Sequence, residues 1–371
     1  MSGRIRLSKS SISQKEKDAV LAVLNKEFLG MGEEVQKFEQ KIKEYLDTNM
    51  EVVCVNTGTS ALHLALCCLD IGMGDEVLVP SLTYVASYQA ISATGAIPIS
   101  CEINPTTLFI DINDAKNKIT KNTKAIMPVH YASSSKGMEE VYELAKKCNL
   151  RVIEDAAQAF GSKRDDELVG QSGDIICFSF DGIKNITSGE GGAILSSDKN
   201  FIERVKDARL LGVQKDTDKR FEGKRSWDFD VEHQGFRYHM SNIMASIGIV
   251  QLDRLDDFRR KRQNIAKKYI DDLKVIKEIE FLDFDYNKIM PHIFVIKAKN
   301  RDGLRDYLIS QDIECGIHYK PNHLLSKYKS NEVLPISEKI YTQILTLPCH
   351  FDLTTDEQTR VIKIIKEFYG D

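Results

Sequence analysis

Between residues 52 and 196 the chain alternates short apolar runs with stretches of helical periodicity. The runs are VVCV (52–55), EVLV (76–79), AIPISC (96–101), AIMPVH (125–130), RVIE (151–154), DIICFSF (174–180) and GAILS (192–196). Helix-period segments such as SALHLALCCLDIG and KGMEEVYELAKKCN lie between several of them. Continuous apolar strands separated by helices predict a mostly parallel sheet of seven strands, covered on both faces. Such a sheet binds ligands beyond the carboxyl ends of its strands. The residues that follow each run therefore carry more functional weight than those within it.

The pattern changes after residue 240. SNIMASIGIVQLDRLDDFRRKRQNIAKKYIDDL has helical spacing and predicts a long connecting helix. Beyond it are expected the strand HIFVIKA (292–298), the helix RDGLRDYLISQ, the strand IECGIHY and a closing helix, TDEQTRVIKIIKEFY. The expected division is a large domain over 1–250, including an N-terminal helix, and a smaller α+β domain over 251–371. Segment 212–234 is polar, charged and longer than an ordinary connection, which marks it as a functional or interface loop.

Charge and composition exclude several classes. With 51 basic and 55 acidic residues the net charge is −4, which argues against a nucleic-acid partner. No apolar run reaches the ~20 residues needed to cross a bilayer, so no membrane association is expected. MSGRIRLSKSSISQKEKD lacks the apolar centre of a signal peptide, and the eight cysteines are scattered. They read as reduced thiols, and the expected compartment is the cytoplasm.

The strand ends supply the chemistry. After VVCV come Gly58, Thr59 and Ser60, leading into a helix near Ala61. Small residues at a helix start favour an anion such as phosphate; Thr59 or Ser60 as an ordinary N-cap is the plain alternative. After EVLV, Tyr84 is either core or a plate for a flat ligand ring. Asp155 follows RVIE in a small, apolar setting. A carboxylate there must meet a cation or donors, or else cap the helix that follows. Gln158 comes three residues later and faces the same side. Ser179 lies at the end of DIICFSF and Lys184 five residues on. The glycines come after the lysine, so this is no triphosphate loop. A confined lysine can lose its proton and attack a carbonyl as a Schiff-base former.

Any one of these residues has an ordinary explanation. Together they handle the phosphate, ring face, ring nitrogen and aldehyde of pyridoxal 5′-phosphate (PLP), which proteins generally hold with a Schiff-base lysine and a carboxylate on the pyridinium nitrogen.

The chain also resembles the DegT/DnrJ/EryC1/StrS sugar aminotransferases, fold-type I PLP enzymes. The matching blocks run nearly end to end: MGEEVQKFEQKI, NTGTSALHLAL, GDEVLVPSLTYVAS, VIEDAAQAFGS, FSFDGIKNITSGEGGAI, YHMSNIMASIGIVQL, IHYKPNH and LPCHFDLTTDE. The resemblance implies Lys184 as the covalent lysine and Asp155 as partner of the pyridine nitrogen. It places Gln158 by the phenolic oxygen, Tyr84 on the ring, and Gly58, Thr59, Ser60 and Ser179 around the phosphate. Related dehydratases carry histidine where this chain has Lys184, so transamination is implied.

Two departures stand out. Where the family commonly reads G-Y-N-Y-R-M, with the Asn reaching the phosphate of the neighbouring subunit, this chain reads GFRYHM. Arg237 takes the Asn position and His239 the Arg position; an arginine can also reach a phosphate. A homodimer with shared active sites follows from the resemblance. The block after VH, usually Tyr-Gly, reads HYASSSKGM, which leaves the role of His130 open. His318, Tyr319 and Lys320 are expected at the substrate mouth. His318 and His323 beside Cys315 lack the second cluster a metal site needs, so no metal is expected.

The implied reaction takes an amino group from L-glutamate, leaving 2-oxoglutarate, to a nucleotide-linked keto sugar. A 4-keto-6-deoxyhexose on dTDP, UDP or GDP, for surface-glycan or O-antigen synthesis, is the implied acceptor, with a 3-keto sugar as the close alternative. A PLP-dependent dehydratase, a cyclitol aminotransferase and a non-catalytic PLP-fold regulator are the competing readings.

Overall fold

A computed structural model describes residues 3–370. The seven apolar runs form seven strands of one sheet. They are β1 (Glu51–Val55), β2 (Glu76–Pro80), β3 (Ile97–Cys101), β4 (Thr123–Ile126), β5 (Arg151–Asp155), β8 (Ile175–Ser179) and β9 (Gly192–Ser196), with a two-stranded hairpin, β6 (Lys163–Arg164) and β7 (Glu167–Leu168), after β5. Their order is β1-β9-β8-β5-β4-β2-β3. Only β9 runs against its neighbours; the pairings among β8, β5, β4, β2 and β3 are parallel.

Alternation along each strand builds two cores, because successive side chains point to opposite faces. Val52, Cys54, Ile176, Phe178, Ala193 and Leu195 face helix Glu33–Leu46, meeting its Val35, Phe38, Ile42 and Leu46. Val53, Val55, Ile175, Cys177 and Ile194 face the opposite way, toward helices Gly58–Cys68 and Lys199–Ala208. Both faces are apolar because both are covered.

A second, antiparallel sheet follows, ordered β10 (Ile279–Phe281), β11 (Phe294–Ala298), β12 (Ile344–Leu347). Helices Arg301–Ser310 and Thr355–Tyr369 cover it. Ile5, from the start of the chain, sits in the same core and is tied by backbone hydrogen bonds to Asp312 and Glu314.

The sequence expectation needs three corrections. The long connecting helix is two helices, Asn242–Asp253 and Leu255–Leu273, broken at Arg254 (φ −102°, ψ 0°). The second spans both units, with Leu255 and Phe258 in one core and Ile265, Tyr269 and Leu273 in the other. IECGIHY is not a continuous strand: it makes single bridges, Ile313 to Ile5 and Gly316 to Thr346. Segment 212–234 contains a short helix, Asp216–Phe221.

Candidate active site

The carboxyl ends of the parallel strands meet in a cleft of about 360 Å³, within the usual size of small-molecule sites. Helix Gly58–Cys68 opens it. Its N-cap is Thr57, one residue before the expected turn; Thr57 Oγ1 accepts the Ser60 N–H at 3.0 Å and its carbonyl takes the Ala61 N–H. Gly58 and Thr59 line the cleft just ahead of them. Glycine is required at this junction. A Cβ on Gly58 would lie 2.7 Å from Ser179 Cβ, and one on Gly192 would lie 2.5 Å from the Thr57 carbonyl oxygen. The bare backbone lets the helix start press against the ends of β8 and β9.

Lys184 stands on a turn after β8. Its N–H donates to the Asp181 carbonyl at 3.0 Å, and Asp181 Oδ2 accepts from Ile183 N–H. The next side chain, Asn185, donates to the carbonyls of Phe160 (2.8 Å) and Met290 (3.0 Å), pinning the turn from below. Lys184 Nζ reaches into the cleft, 3.5 Å from His292 Nε2. Desolvation pulls the proton affinity of the amine down, while the charges of Asp155 and Asp181 oppose the shift.

Asp155 closes β5 and is 6% exposed. It does not cap a helix, because a turn follows it. Its Oδ2 accepts from Ser87 Oγ at 2.7 Å and its Oδ1 from Ala157 N–H at 3.2 Å. Gln158 Oε1 accepts from Ala132 N–H at 2.8 Å, and its Nε2 donates to Tyr319 Oη at 3.2 Å. Tyr84 lies at the start of helix Val85–Ala93 and is 58% exposed, its ring 5.6 Å from the Tyr319 ring. His318 Nδ1 is 2.8 Å from Thr346 Oγ1, and burial, then the Lys184 charge, push its imidazole down to about 4.

The cleft thus gathers Gly58, Thr59, Tyr84, Asp155, Gln158, Ser179, Lys184, His318 and Tyr319 from the sequence expectation. Three others stand apart. Ser60 lies behind the helix start, where its hydroxyl is engaged by Asn56 and Thr57 in a capping box. Lys320 is exposed and outside the lining. Arg237 is exposed, bridges Leu210 through its backbone, and does not line the cleft of its own chain. His130, left open by the sequence, is fully buried against Glu154 at 2.8 Å, with Tyr142 Oη donating to the same carboxylate. That places it beside the cleft as a support.

Residues the sequence did not single out complete the walls: Thr57, Thr83, Asp181, Glu190 and His292. Ser87 lies behind them and fixes Asp155. Thr57 and Ser87 carried a signal, a hydroxyl at a helix start. His292 carried none, because one sequence does not show that a residue 108 positions away meets Lys184.

Residues 10–366 match the sequence profile described as the DegT/DnrJ/EryC1/StrS aminotransferase family. The chain belongs to this family. Over 365 residues it is 37% identical to GDP-perosamine synthase of Escherichia coli O157:H7, covering 97% of each chain. The aminotransferase TlmJ from Streptoalloteichus hindustanus superposes with a TM-score of 0.92 at 29% identity, covering 99% of each chain. Spr1654 from Streptococcus pneumoniae, solved in a PLP form, gives 0.91 at 26% identity and 99% coverage of each.

Family membership makes the chain a PLP-dependent sugar aminotransferase with the fold-type I architecture. The cleft fits that cofactor on its own chemistry. It offers an amine with lowered proton affinity, a carboxylate fixed by two donors, a glycine-dependent helix start suited to an anion, and an exposed aromatic ring. Among the described residues there is no group of His, Cys, Asp or Glu that could hold a metal ion, and no helix is long and apolar enough to cross a membrane.

Proposed function

We propose that the enzyme transfers an amino group from L-glutamate to a nucleotide-linked 4-keto-6-deoxyhexose. The observation that carries this reading is the convergence of Lys184 Nζ, the Asp155 carboxylate and the Gly58 helix start on one cleft at the strand ends. Lys184 is assigned as the covalent anchor, and Asp155 as the fixed negative charge for the ring nitrogen. Gln158 is assigned to the phenolic oxygen, Tyr84 to the ring face, and Gly58, Thr59 and Ser179 to the phosphate. His318 and Tyr319 line the part of the wall assigned to substrate.

When bound, PLP would supply an electron-withdrawing ring that stabilises negative charge on the donor's α-carbon. Lys184 Nζ, its proton affinity lowered by desolvation, takes the α-proton as general base and returns it as general acid. Ser87 and the Ala157 N–H hold Asp155 in place throughout. Among dTDP, UDP and GDP sugars, the 37% relative named GDP-perosamine synthase favours GDP. We assign the protein to the cytoplasm and to a role in surface-glycan amino-sugar synthesis. The division at residue 250 is retained as a functional one, with the cofactor held by the larger part.

The exposed Arg237, absent from the lining of its own cleft, and the exposed Trp227 and Phe229 of segment 212–234 support a homodimer in which each chain completes the other's site. Incubation of the protein, PLP and glutamate with GDP-, dTDP- and UDP-linked keto sugars tests the reading. Product NMR should show a new C–N bond at C4 of the GDP sugar. Amination at C3, or glutamate turnover with no aminated sugar, would reject this substrate.

A further inference from the structure

Lys184 follows β8 of the large sheet, whereas His292 lies two residues before β11 of the small one. The two side chains nevertheless meet, with His292 Nε2 3.5 Å from Lys184 Nζ. His292 is 6% exposed and lines the cleft. Its backbone is held from two directions. The His292 N–H donates to Ser133 Oγ at 2.9 Å, and Ser133 Oγ donates in turn to the Gln158 carbonyl. The His292 carbonyl accepts from Arg262 at 3.1 Å, and the same guanidinium nitrogen also reaches the Pro291 and Cys349 carbonyls. Arg262 is itself buried, 4% exposed.

A histidine present only for packing has no reason to turn a ring nitrogen toward a lysine amine. Here Nε2 faces Nζ, and Nδ1 is buried with no partner among the described residues. Lys184 is thus the polar contact that orients this ring. We propose that His292 is a positioning residue for Lys184: Nε2 accepts an N–H of the amine and fixes where that nitrogen points. The proposal rests on the reading of Lys184 as the reacting amine.

The surrounding charges fit an acceptor. Burial, then Lys184, Arg262 and His318, push the His292 imidazole well below its ordinary range, so the ring stays neutral. A neutral ring that accepts at Nε2 carries its proton at Nδ1. Lys184 meets Asp155 and Asp181 from the large sheet, His292 and His318 from the small unit, and shares the cleft wall with Glu190. The two carboxylates favour the ammonium by charge alone. His292 adds a directed contact, which the carboxylates do not supply to Nζ at hydrogen-bond distance.

The test uses the full-length protein without cofactor. Acetic anhydride acylates the unprotonated amine, so peptide mass spectrometry of the label against pH reads the Lys184 midpoint. An acceptor stabilises the ammonium, so His292→Leu should lower the midpoint by about half a pH unit, raising the reactive fraction below it roughly threefold. His292→Asn, whose amide oxygen can accept, should restore most of the wild-type midpoint. An unchanged midpoint in a folded Leu variant overturns the proposal. Should that variant not fold, ¹⁵N NMR of the wild-type ring decides. An Nδ1–H tautomer whose Nε2 shift moves in Lys184→Ala supports the contact, and an Nε2–H tautomer, or indifference to Lys184→Ala, overturns it. Retained turnover by Lys184→Ala would instead reject the role of Lys184 itself.

Discussion

Ser87 Oγ donates to Asp155 Oδ2 at 2.7 Å, joining the helix that follows β2 to the end of β5. Thr83 Oγ1 lies 3.1 Å from Ser87 Oγ, so the carboxylate is held by a short chain of hydroxyls. Ser87→Ala removes a hydrogen bond to a charged group, worth about 1.5–3 kcal/mol. The expected result is a rise of roughly tenfold or more in the PLP dissociation constant, read by equilibrium dialysis. Unchanged affinity would separate Asp155 from the cofactor.

Gly58→Ala puts a methyl group against the Cβ and Cα of Ser179. Neither neighbour can swing aside, since both belong to the end of a central strand. Overpacking of this kind costs about 1–3 kcal/mol. Urea unfolding of the cofactor-free protein should show that loss, and PLP affinity should fall with it. A stable variant with normal affinity would mean that the helix start has slack.

Glu102 ties the end of the large sheet to the small unit. Its carboxylate, 6% exposed, accepts from the N–H groups of Ile336 and Ser337 at 2.8 Å each, at the start of helix Pro335–Tyr341. Glu102→Ala leaves these donors unsatisfied and is expected to cost about 1–3 kcal/mol in unfolding free energy. Limited proteolysis should then cut first near residues 330–341.

Acid should weaken the fold partly through two histidines whose shifts are large. His318 and His239 both titrate at about 4 in the folded chain, His318 through burial and then Lys184, His239 through burial and then Arg237 and Arg220. Unfolded imidazoles take a proton near 6.5, so between the two values the unfolded state binds more protons. Unfolding free energy should therefore fall as pH drops from about 6.5 to about 4. His239→Asn and His318→Asn should flatten that slope; a slope unchanged in the double variant would place the acid sensitivity elsewhere.

All seven large-sheet strands were legible because each is a short apolar run, and β1, β2, β5, β8 and β9 are almost wholly buried on both faces, a pattern that needs no knowledge of neighbours. β10 was not, because only Ile279 of its three residues is buried and the segment reads as a charged loop. β12, by contrast, is wholly buried but lies in ILTL, a run too short to separate strand from helix by period. IECGIHY read as a strand through its alternation, yet its partners are single residues distant in sequence, Ile5 and Thr346. In the site, Asp155 and Lys184 were visible as costly groups at strand ends. Ser60 could not be assigned from sequence, because a hydroxyl at a helix start serves a cap as readily as a phosphate; in the folded chain it shares a capping box with Thr57. His292 and Glu102 act through contacts made only by folding the small unit onto the large one.

The central claim is that Lys184 holds the cofactor in this cleft. Borohydride reduction of the PLP-loaded enzyme followed by peptide mass spectrometry tests it most directly. The account predicts a phosphopyridoxyl mass on the peptide containing Lys184, lost when the enzyme is first treated with glutamate and absent in Lys184→Ala. The same mass on a different lysine, or its persistence in Lys184→Ala, would contradict it.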